Sequence, residues 1–188
     1  MKIRIAKISD AKELLNIYAY YVENTAITFE YEVPSLQEFE ERIKNILQKY
    51  PYIVAILDDK IVGYAYAGTF KGRKAYDWSI ETTIYVKHGF HKHGIGKKLY
   101  EELENILKQQ GITNMYACIA SPIVEDQYLT NNSIDYHHHL GFKLVGTFEK
   151  CAYKFNTWYN MVWMVKEINE HQPNQKDVCW FSNLSRQK

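Results

Sequence analysis

The chain has 188 residues, of which 46% are hydrophobic and 15% aromatic, and with only 9 Gly and 4 Pro its composition excludes a disordered or collagen-like chain. Its 23 basic and 22 acidic side chains nearly cancel, so the net charge gives no basis for non-specific binding to nucleic acid. Because no apolar run approaches the ~20 residues that cross a bilayer and the N-terminus lacks a signal-peptide pattern, we expect a cytoplasmic protein that does not enter the membrane.

The first quarter of the sequence predicts one strand and two helices. Residues 2–7 alternate isoleucine with charged residues, which is typical of a strand. Asp10 and Glu13 have the spacing of a capping box and precede apolar residues at helical spacing. Ser35 and Glu38 repeat this spacing, so we expect a second helix to begin there.

The central part of the sequence predicts three strands followed by a long helix. Residues 52–57 and 60–70 are rich in β-forming residues and only a short turn separates them, which indicates an antiparallel hairpin. A longer strand is expected over residues 78–87. The helix that follows covers residues 94–110, and Gly111 stands where a helix C-cap is expected.

The last part predicts a strand at residues 115–120, a helix at 131–140, and two strands over 142–155 and 158–166. The full order is therefore β, α, α, β, β, β, α, β, α, β, β. This is a mixed α/β arrangement, because it combines antiparallel pairs with strand–helix–strand crossovers instead of the regular alternation of a doubly wound sheet.

The composition becomes polar towards the C-terminus, which predicts one domain over residues 1–168 and a polar tail over residues 169–188. An apolar patch at residues 178–181 interrupts this tail, so the tail either docks on the domain or frays. The three cysteines form no Cys-x-x-Cys pair and indicate neither a disulfide framework nor a zinc ribbon. We expect reduced thiols, with Cys118 and Cys151 as small core residues.

The most informative segment, residues 84–100, is a strand that passes through a Gly-bearing turn into a helix. Free backbone N–H groups and the positive end of the helix dipole meet at a helix start, where they favour phosphate groups. Lys92, Lys97 and Lys98 add positive charge. The glycines alone are equally compatible with an ordinary turn, and the segment matches neither the P-loop nor the dinucleotide-binding motif.

The same segment resembles a known phosphate-binding loop. Residues 91–96, His-Lys-His-Gly-Ile-Gly, are similar to the pyrophosphate loop Gln/Arg-x-x-Gly-x-Gly/Ala of the GNAT superfamily of acetyl-CoA-dependent N-acetyltransferases, with His91 in place of Gln or Arg. The element order also resembles the GNAT fold, in which helices flank a mostly antiparallel central sheet. The phosphinothricin N-acetyltransferase branch is similar over about residues 1–168, through the motifs Thr28-Phe29-Glu30, Ala75 to Val86, Ser133…His137…Leu140-Gly141-Phe142 and Tyr153-Lys154…Trp158.

This resemblance implies acetyl-CoA as the cosubstrate and no metal ion. Backbone N–H groups of the strand formed by Ile84, Tyr85 and Val86 are expected to polarise the thioester carbonyl. The resemblance assigns the diphosphate to a loop formed by His91, Lys92, His93, Gly94, Ile95, Gly96 and Lys97. The insertion Ile123 to Thr130 displaces the asparagine that contacts the cofactor in this branch, and Asn131 is the candidate for that role.

Two residues are candidates for proton transfer. Glu81 is the expected carboxylate, acting directly or through a water, and the same sequence pattern also suits a Glu on the exposed face of a sheet. His137 resembles the histidine of the branch's Leu-His-Glu motif, and imidazole titrates near neutral pH. Which of the two is base and which is acid stays open. The run His137-His138-His139 lacks metal-ligand spacing, so no metal site is predicted.

A modest base can serve an amino-acid acceptor, because an α-amine titrates near ~7.7–8.0 and is neutral more often than a lysine side chain. Arg73 either grips the α-carboxylate with its guanidinium fork or belongs to a solvated basic turn. The resemblance adds further acceptor residues, namely Phe29, Glu30, Tyr76, Tyr153 and Trp158. It also implies a homodimer through the Tyr- and Trp-rich final strands.

The sequence therefore predicts an enzyme that transfers acetyl from acetyl-CoA to the α-amine of a small amino acid or analogue. The resemblance implies phosphinothricin, methionine sulfoximine or methionine sulfone as acceptors. Two alternatives stay open: an acetyltransferase for polyamines, antibiotics or protein N-termini, and a catalytically silent module that binds or senses acyl-CoA.

Overall fold

The computed structural model describes residues 1–90 and 93–184. Within these residues the elements are, in chain order, β1 (Lys2–Ile5), α1 (Ala11–Asn24), α2 (Leu36–Lys49), β2 (Tyr52–Leu57), β3 (Lys60–Thr69), β4 (Ser79–Val86), α3 (Ile95–Gln110), β5 (Asn114–Ser121), α4 (Asn132–His139), β6 (Lys143–Lys154), β7 (Thr157–Glu167) and α5 (Phe181–Leu184). Except for the short helix α5, the helices and strands follow the predicted order. The predicted mixed α/β class is confirmed.

The seven described strands form one sheet in the order β1-β2-β3-β4-β5-β7-β6. Neighbouring strands run antiparallel, apart from the parallel pair β4 and β5, which α3 connects. The predicted mostly antiparallel sheet is therefore confirmed. At the β2–β3 turn, Asp58 and Asp59 have φ of 49° and 58°, the left-handed conformation that a two-residue hairpin turn requires.

Helices cover both faces of the sheet, α3 on one and α1 with α2 on the other. Because side chains alternate along a strand, Ile53 and Ala55 of β2 pack on the α3 side, whereas Tyr52 and Val54 pack on the α1 side. α3 buries a stripe of apolar residues that includes leucines, and burial of each leucine stabilises the fold by about 1.5–3 kcal/mol.

Of the two predicted helix caps, the one at Ser35 is found and the one at Asp10 is not. The Ser35 hydroxyl accepts a hydrogen bond from the Glu38 backbone N–H at 3.2 Å, so Ser35 caps α2 as predicted. The prediction for Asp10 is wrong, because Asp10 ends a short 3₁₀ turn and its carboxylate is directed back to β1. There it pairs with the Arg4 guanidinium at 2.6 Å and accepts the Lys7 N–H at 2.7 Å.

The apolar patch of the C-terminal tail docks on the domain. The Trp180 ring packs edge-on against Tyr50, with centroids 5.7 Å apart, and Val178 joins the same core cluster. Gln110 of α3 anchors the backbone, because its carbonyl accepts the Cys179 N–H at 2.9 Å and its side-chain amide donates to the Cys179 carbonyl at 3.0 Å. Of the two possibilities for the tail, the docked one is found.

The expectation that Cys118 and Cys151 are core residues is wrong, because both side chains are exposed. Cys118 alternates with the buried residues Ala117 and Ile119 and therefore faces the opposite side of β5. Cys151 lies on β6, an edge strand whose residues are mostly exposed. No helix in the described part of the chain is long and apolar enough to cross a membrane.

Candidate active site

An opening divides the centre of the sheet. The parallel ladder between β4 and β5 joins Ser79–Thr82 to 114–117, and in the described residues it extends no further. β4 nevertheless continues to Val86 along β3, and β5 continues to Ser121 along β7. The facing edges beyond Thr82 and Ala117 therefore separate, which leaves backbone groups of both strands available to a ligand.

A cavity of about 240 Å³ lies at this opening. Its walls come from β3, β4 and β5, from the connection after α1, and from α3, α4 and β7. The described residues that line it are Ile27, Thr28, Phe29, Tyr66, Glu81, Thr82, Thr83, Ile84, Tyr85, Tyr100, Ala117, Cys118, Ile119, Ala120, Ser133, His137 and Met161. The sequence candidates Phe29, Glu81 and His137 thus meet in one cavity.

The cavity connects the two faces of the sheet. Ile80 and Ile84 of β4 pack with the α3 cluster, whereas Tyr85 packs with the α1 cluster. Because strand residues alternate, Glu81 faces the α1 side, and His137 contacts Tyr100 of α3 on the other side. Groups placed on the two faces can therefore act on opposite sides of one bound molecule.

Glu81 is half-buried within the sheet, where its strand neighbours are Gly68 and Tyr116. Burial raises the pKa of its carboxyl group above the ordinary value, and the positive charge of Lys71 opposes that shift. A carboxylate with a raised pKa is a stronger proton acceptor than an exposed one. Glu81 therefore does not lie on a fully exposed face of the sheet, which is the alternative interpretation of the sequence.

His137 is 4% exposed and hydrogen-bonded through both ring nitrogens. Nδ1 lies 2.7 Å from the Ser133 carbonyl oxygen, which can only accept, so Nδ1 carries the proton. Nε2 lies 2.7 Å from the Tyr100 hydroxyl, which therefore donates to it when the ring is neutral. Burial lowers the pKa of His137, which favours this neutral form.

The start of α3 has the features of an anion site. Gly94 is the N-cap with φ of 71°, a left-handed conformation that favours glycine. At Gly96, a Cβ atom would lie 2.5 Å from the Tyr136 hydroxyl oxygen, so a side chain does not fit there. The first N–H groups of this helix have no partner within it, and they follow directly on the open end of β4.

The other predicted cofactor residues have different surroundings. His91 and Lys92 lie outside the described residues. His93 is exposed, with its ring edge-on to Phe90, and Lys97 is exposed beside Glu101. Asn131 precedes α4, and its side-chain amide donates to the Glu125 carboxylate at 3.1 Å.

The predicted acceptor residues fall into three groups. Phe29 lines the cavity, and the neighbouring Glu30 pairs with Arg42 of α2 at 2.7 Å. The rings of Tyr153 and Trp158 are 5.1 Å apart on the β6–β7 hairpin and are half-exposed. The remaining two, Arg73 and Tyr76, are exposed on the connection from β3 to β4 and do not line the cavity.

Comparisons with known proteins identify the family. The sequence profile of the acetyltransferase (GNAT) domain matches residues 3–163. The chain belongs to the GNAT acetyltransferase family. It is 31% identical over 161 residues to the phosphinothricin N-acetyltransferase of Streptomyces viridochromogenes, and the aligned region covers 86% of this chain and 84% of that protein.

Two further relatives cover nearly the whole of this acetyltransferase. The L-methionine sulfoximine/L-methionine sulfone acetyltransferase of Salmonella typhimurium is 27% identical over 183 residues, which is 95% of this chain and 100% of that protein. The crystal structure of a phosphinothricin acetyltransferase from Sinorhizobium meliloti in complex with AcCoA superposes with a TM-score of 0.86 and 29% identity, covering 97% of this chain and 96% of that one.

The sequence did not identify several residues that line the cavity of this acetyltransferase. Tyr100 lies beside the buried stripe of α3, where its spacing suggests only a core residue. Thr82 is buried, and its Oγ1 has no hydrogen-bond partner among the described residues although it lines the cavity. Cys118 belongs to the cavity because the opening leaves its face of β5 uncovered. For Thr82 and Cys118 the sequence signal is alternation along β4 and β5.

The histidine run does not form a metal site in the described part of this acetyltransferase. His137 is buried and hydrogen-bonded, whereas His138 and His139 are exposed on α4. No group of three His, Cys, Asp or Glu side chains among the described residues is arranged to hold one ion.

Proposed function

We propose that this acetyltransferase transfers the acetyl group of acetyl-CoA to the α-amine of a small amino acid or analogue, of the type of phosphinothricin, methionine sulfoximine or methionine sulfone. The observation that carries the proposal is the single cavity that joins Glu81 to His137 through the opened sheet. The named activities of its relatives support this acceptor class.

The binding site for acetyl-CoA is assigned to the open edge of β4 and the start of α3. Along Ile84, Tyr85 and Val86 the peptide groups point alternately to β3 and to the open edge, and those at the open edge supply backbone donors. Gly94 to Lys97 supply the helix start. The left-handed Gly94 at the N-cap and the first N–H groups of α3, which have no partner within the helix, support this assignment. His91, Lys92 and His93 complete the proposed loop, and Asn131 stays a candidate whose amide is held by Glu125.

Bound acetyl-CoA supplies an activated acetyl thioester, and the protein supplies proton transfer. The amine nitrogen attacks the carbonyl carbon, a C–N bond forms and the C–S bond breaks. Glu81, on the α1 side with Phe29, is assigned as the base that takes the amine proton, directly or through a water. On the other face the leaving thiolate takes its proton from the Tyr100 hydroxyl, which His137 holds in the cavity wall. The proton held by Glu81 passes to solvent, and solvent reprotonates Tyr100.

The acceptor side of the cavity is assigned to the connection after α1 and to the aromatic pair on the β6–β7 hairpin. Phe29 lines the cavity, whereas Glu30, Tyr153 and Trp158 are not among its lining residues and are assigned to the acceptor through the family motif. Arg73 stays in the proposal as the cation that grips the α-carboxylate when an acceptor is bound, and Tyr76 stays as a wall of the acceptor site through the family motif alone. The exposed guanidinium of Arg73 is available for such a bidentate contact.

We also infer a homodimer through the last two strands. These strands carry five large apolar side chains that are 44–61% exposed, namely Leu144, Val145, Phe148, Tyr153 and Trp158. They are distributed over both faces at this edge of the sheet, and burial of exposed apolar side chains at a sheet edge favours association with a second copy. The cytoplasmic location, the lack of nucleic-acid and membrane partners, the independence of metal and the domain boundary at residue 168 stay predictions.

A thiol-release assay tests the proposed function. The purified protein and acetyl-CoA are incubated with a panel of amino acids, sulfoximines and the corresponding α-amides, and free CoA is measured. We expect release with amino acids and at least a tenfold lower kcat/KM with the amides, which lack the α-carboxylate. Equal rates with amides or polyamines favour the alternative acceptors, and binding of acetyl-CoA without release to any amine favours the silent module.

A further inference from the structure

Lys154, the last residue of β6, has a buried ammonium group. The residue is 3% exposed, and its Nζ donates to the backbone carbonyls of Val22 at 2.8 Å, Thr25 at 2.9 Å and Thr28 at 2.9 Å. An ammonium has three hydrogens, so these three bonds use its full donor capacity. Lysine is almost never buried without such partners, which marks this contact as specific.

The three carbonyls belong to the end of α1 and the connection that follows it. The last carbonyls of a helix have no partner within the helix and carry the negative end of its dipole. A cation placed there satisfies these groups and fixes the path of the chain that leaves the helix. Here the cation comes from a residue 126 to 132 positions away in the sequence, so the fold imposes this path.

That path forms a wall of the acceptor cavity. Ile27, Thr28 and Phe29 line the cavity immediately after the carbonyl of Thr25 that Lys154 holds. The Thr28 hydroxyl also lies 2.8 Å from the Tyr18 hydroxyl, so both backbone and side chain of Thr28 are fixed. We define the acceptor wall as residues 25–29.

A second contact network ties the acceptor wall to the inserted loop at residues 123–130. The Ala26 N–H donates to the Tyr128 carbonyl at 3.1 Å, and Ala26 packs in a small cluster with Leu129 and Tyr159. The Tyr159 hydroxyl donates to the Asp126 carboxylate at 2.7 Å. The insertion therefore packs against the acceptor wall at the fully buried Ala26, whereas Ile27 stays 41% exposed.

We propose that Lys154 is a positioning residue that holds the acceptor wall in place and thereby sets the affinity for the acceptor amine, without taking part in the chemistry. This rests on the proposed function, because it assumes that the acceptor binds in this cavity. The described cofactor residues assigned above lie on β4, at the start of α3 and, for Asn131, before α4, and they make none of the Lys154 contacts described here. Loss of the Lys154 ammonium should therefore weaken acceptor binding and leave the affinity for acetyl-CoA nearly unchanged.

The test compares Lys154→Met, which keeps the stem and removes the ammonium, with Lys154→Gln, which keeps a neutral donor. Lys44→Met is the control, because it removes an exposed lysine from α2. We expect the acceptor KM of Lys154→Met to rise about tenfold or more, that of Lys154→Gln to rise less, and kcat to change by less than about threefold. The Kd for acetyl-CoA, measured by calorimetry, should stay within about twofold of the wild type.

An unchanged acceptor KM in both variants overturns the proposal, and so does a parallel loss of acceptor and acetyl-CoA affinity. If Lys154→Met does not fold, Lys154→Gln carries the same readouts, and failure of both to fold assigns Lys154 to the fold as a whole and overturns the proposal. Hydrogen exchange tests the positioning role of Lys154 independently of the proposed function, because it does not require activity. Even if the wild type acetylates no amino acid, faster exchange at residues 25–29 with unchanged exchange in α3 supports the positioning role, and unchanged exchange at both overturns it.

Discussion

Glu81 and His137 line one cavity from opposite faces of the central sheet. The arrangement follows from strand alternation on β4 together with the end of the parallel ladder at Thr82 and Ala117. The proposed base therefore lies on one side of the sheet, and His137 with its partner Tyr100, proposed to serve the leaving thiol, lies on the other.

Replacing Glu81 by Gln should remove the base. We expect kcat/KM for the amino-acid acceptor to fall about 10²–10³-fold, because general base catalysis contributes on that scale. The wild-type kcat/KM, expressed per neutral amine so that protonation of the acceptor is corrected for, should fall as the pH drops through the raised pKa of Glu81, and this acidic limb should disappear in Glu81→Gln. A pH–rate profile of both proteins checks this, with Glu41→Gln on the exposed face of α2 as the control.

The same variant should not lose stability. The folded-state pKa of Glu81 is raised, so the folded protein holds the proton more tightly than the unfolded chain does. Ionisation of Glu81 therefore lowers the free energy of unfolding as the pH rises above the unfolded pKa, and Gln removes this penalty. A lower melting temperature for Glu81→Gln at neutral pH would contradict the burial of this carboxylate.

Replacing His137 by Ala should impair catalysis and stability together. The change leaves the Ser133 carbonyl and the Tyr100 hydroxyl without their partner, at a cost of about 1–3 kcal/mol in the free energy of unfolding. We expect kcat to fall at least about tenfold while the Kd for acetyl-CoA changes little. His138→Ala, an exposed neighbour, is the control, and equal kcat in the two variants would show that His137 has no role in turnover.

Gly96→Ala should weaken the binding of acetyl-CoA. The added Cβ atom would lie 2.5 Å from the Tyr136 hydroxyl oxygen, so the helix start or the tyrosine must shift. We expect the Kd measured by calorimetry to rise about tenfold, and the additional change Tyr136→Phe to restore part of the affinity. Gly72→Ala, where a Cβ meets no atom within 4 Å, should leave the Kd unchanged.

Trp180→Ala should destabilise the domain without slowing acetyl transfer. The ring packs on Tyr50 and lies beneath the ammonium of Lys49, on the surface formed by α2 and α3 and apart from the cavity residues. We expect a loss of about 1–3 kcal/mol in urea unfolding, because the residue is only partly buried. Asn174→Ala in the exposed part of the tail is the control, and unchanged stability of Trp180→Ala would contradict the docked tail.

Local patterns predict most of the fold but only part of the site. The β2–β3 hairpin and α3 are found as expected, because a two-residue turn and a regular apolar stripe act over a few residues. The Asp10 capping box is wrong because Arg4, on a separate element, competes for its carboxylate. The partner of the Asp10 carboxylate is thus decided by a contact between separate elements, which the spacing of nearby residues does not predict.

The same distinction applies to the cavity. Glu81 and His137 are indicated by residue type and by a family resemblance, whereas the contact between Tyr100 and His137 and the three bonds of Lys154 join residues far apart in the chain. The exposure of Cys118 also depends on where the β4–β5 ladder ends. Such features follow from strand register and helix placement, which no short sequence pattern specifies.

The most direct test of the central claim is product analysis after incubation with acetyl-CoA and methionine sulfoximine, which carries both an α-amine and a sulfoximine nitrogen. The account predicts one equivalent of free CoA for each acetyl group found on the α-nitrogen by mass spectrometry and NMR, and loss of both in Glu81→Gln. Acetylation at another nitrogen, or bound acetyl-CoA with no product from any amino acid, would contradict it.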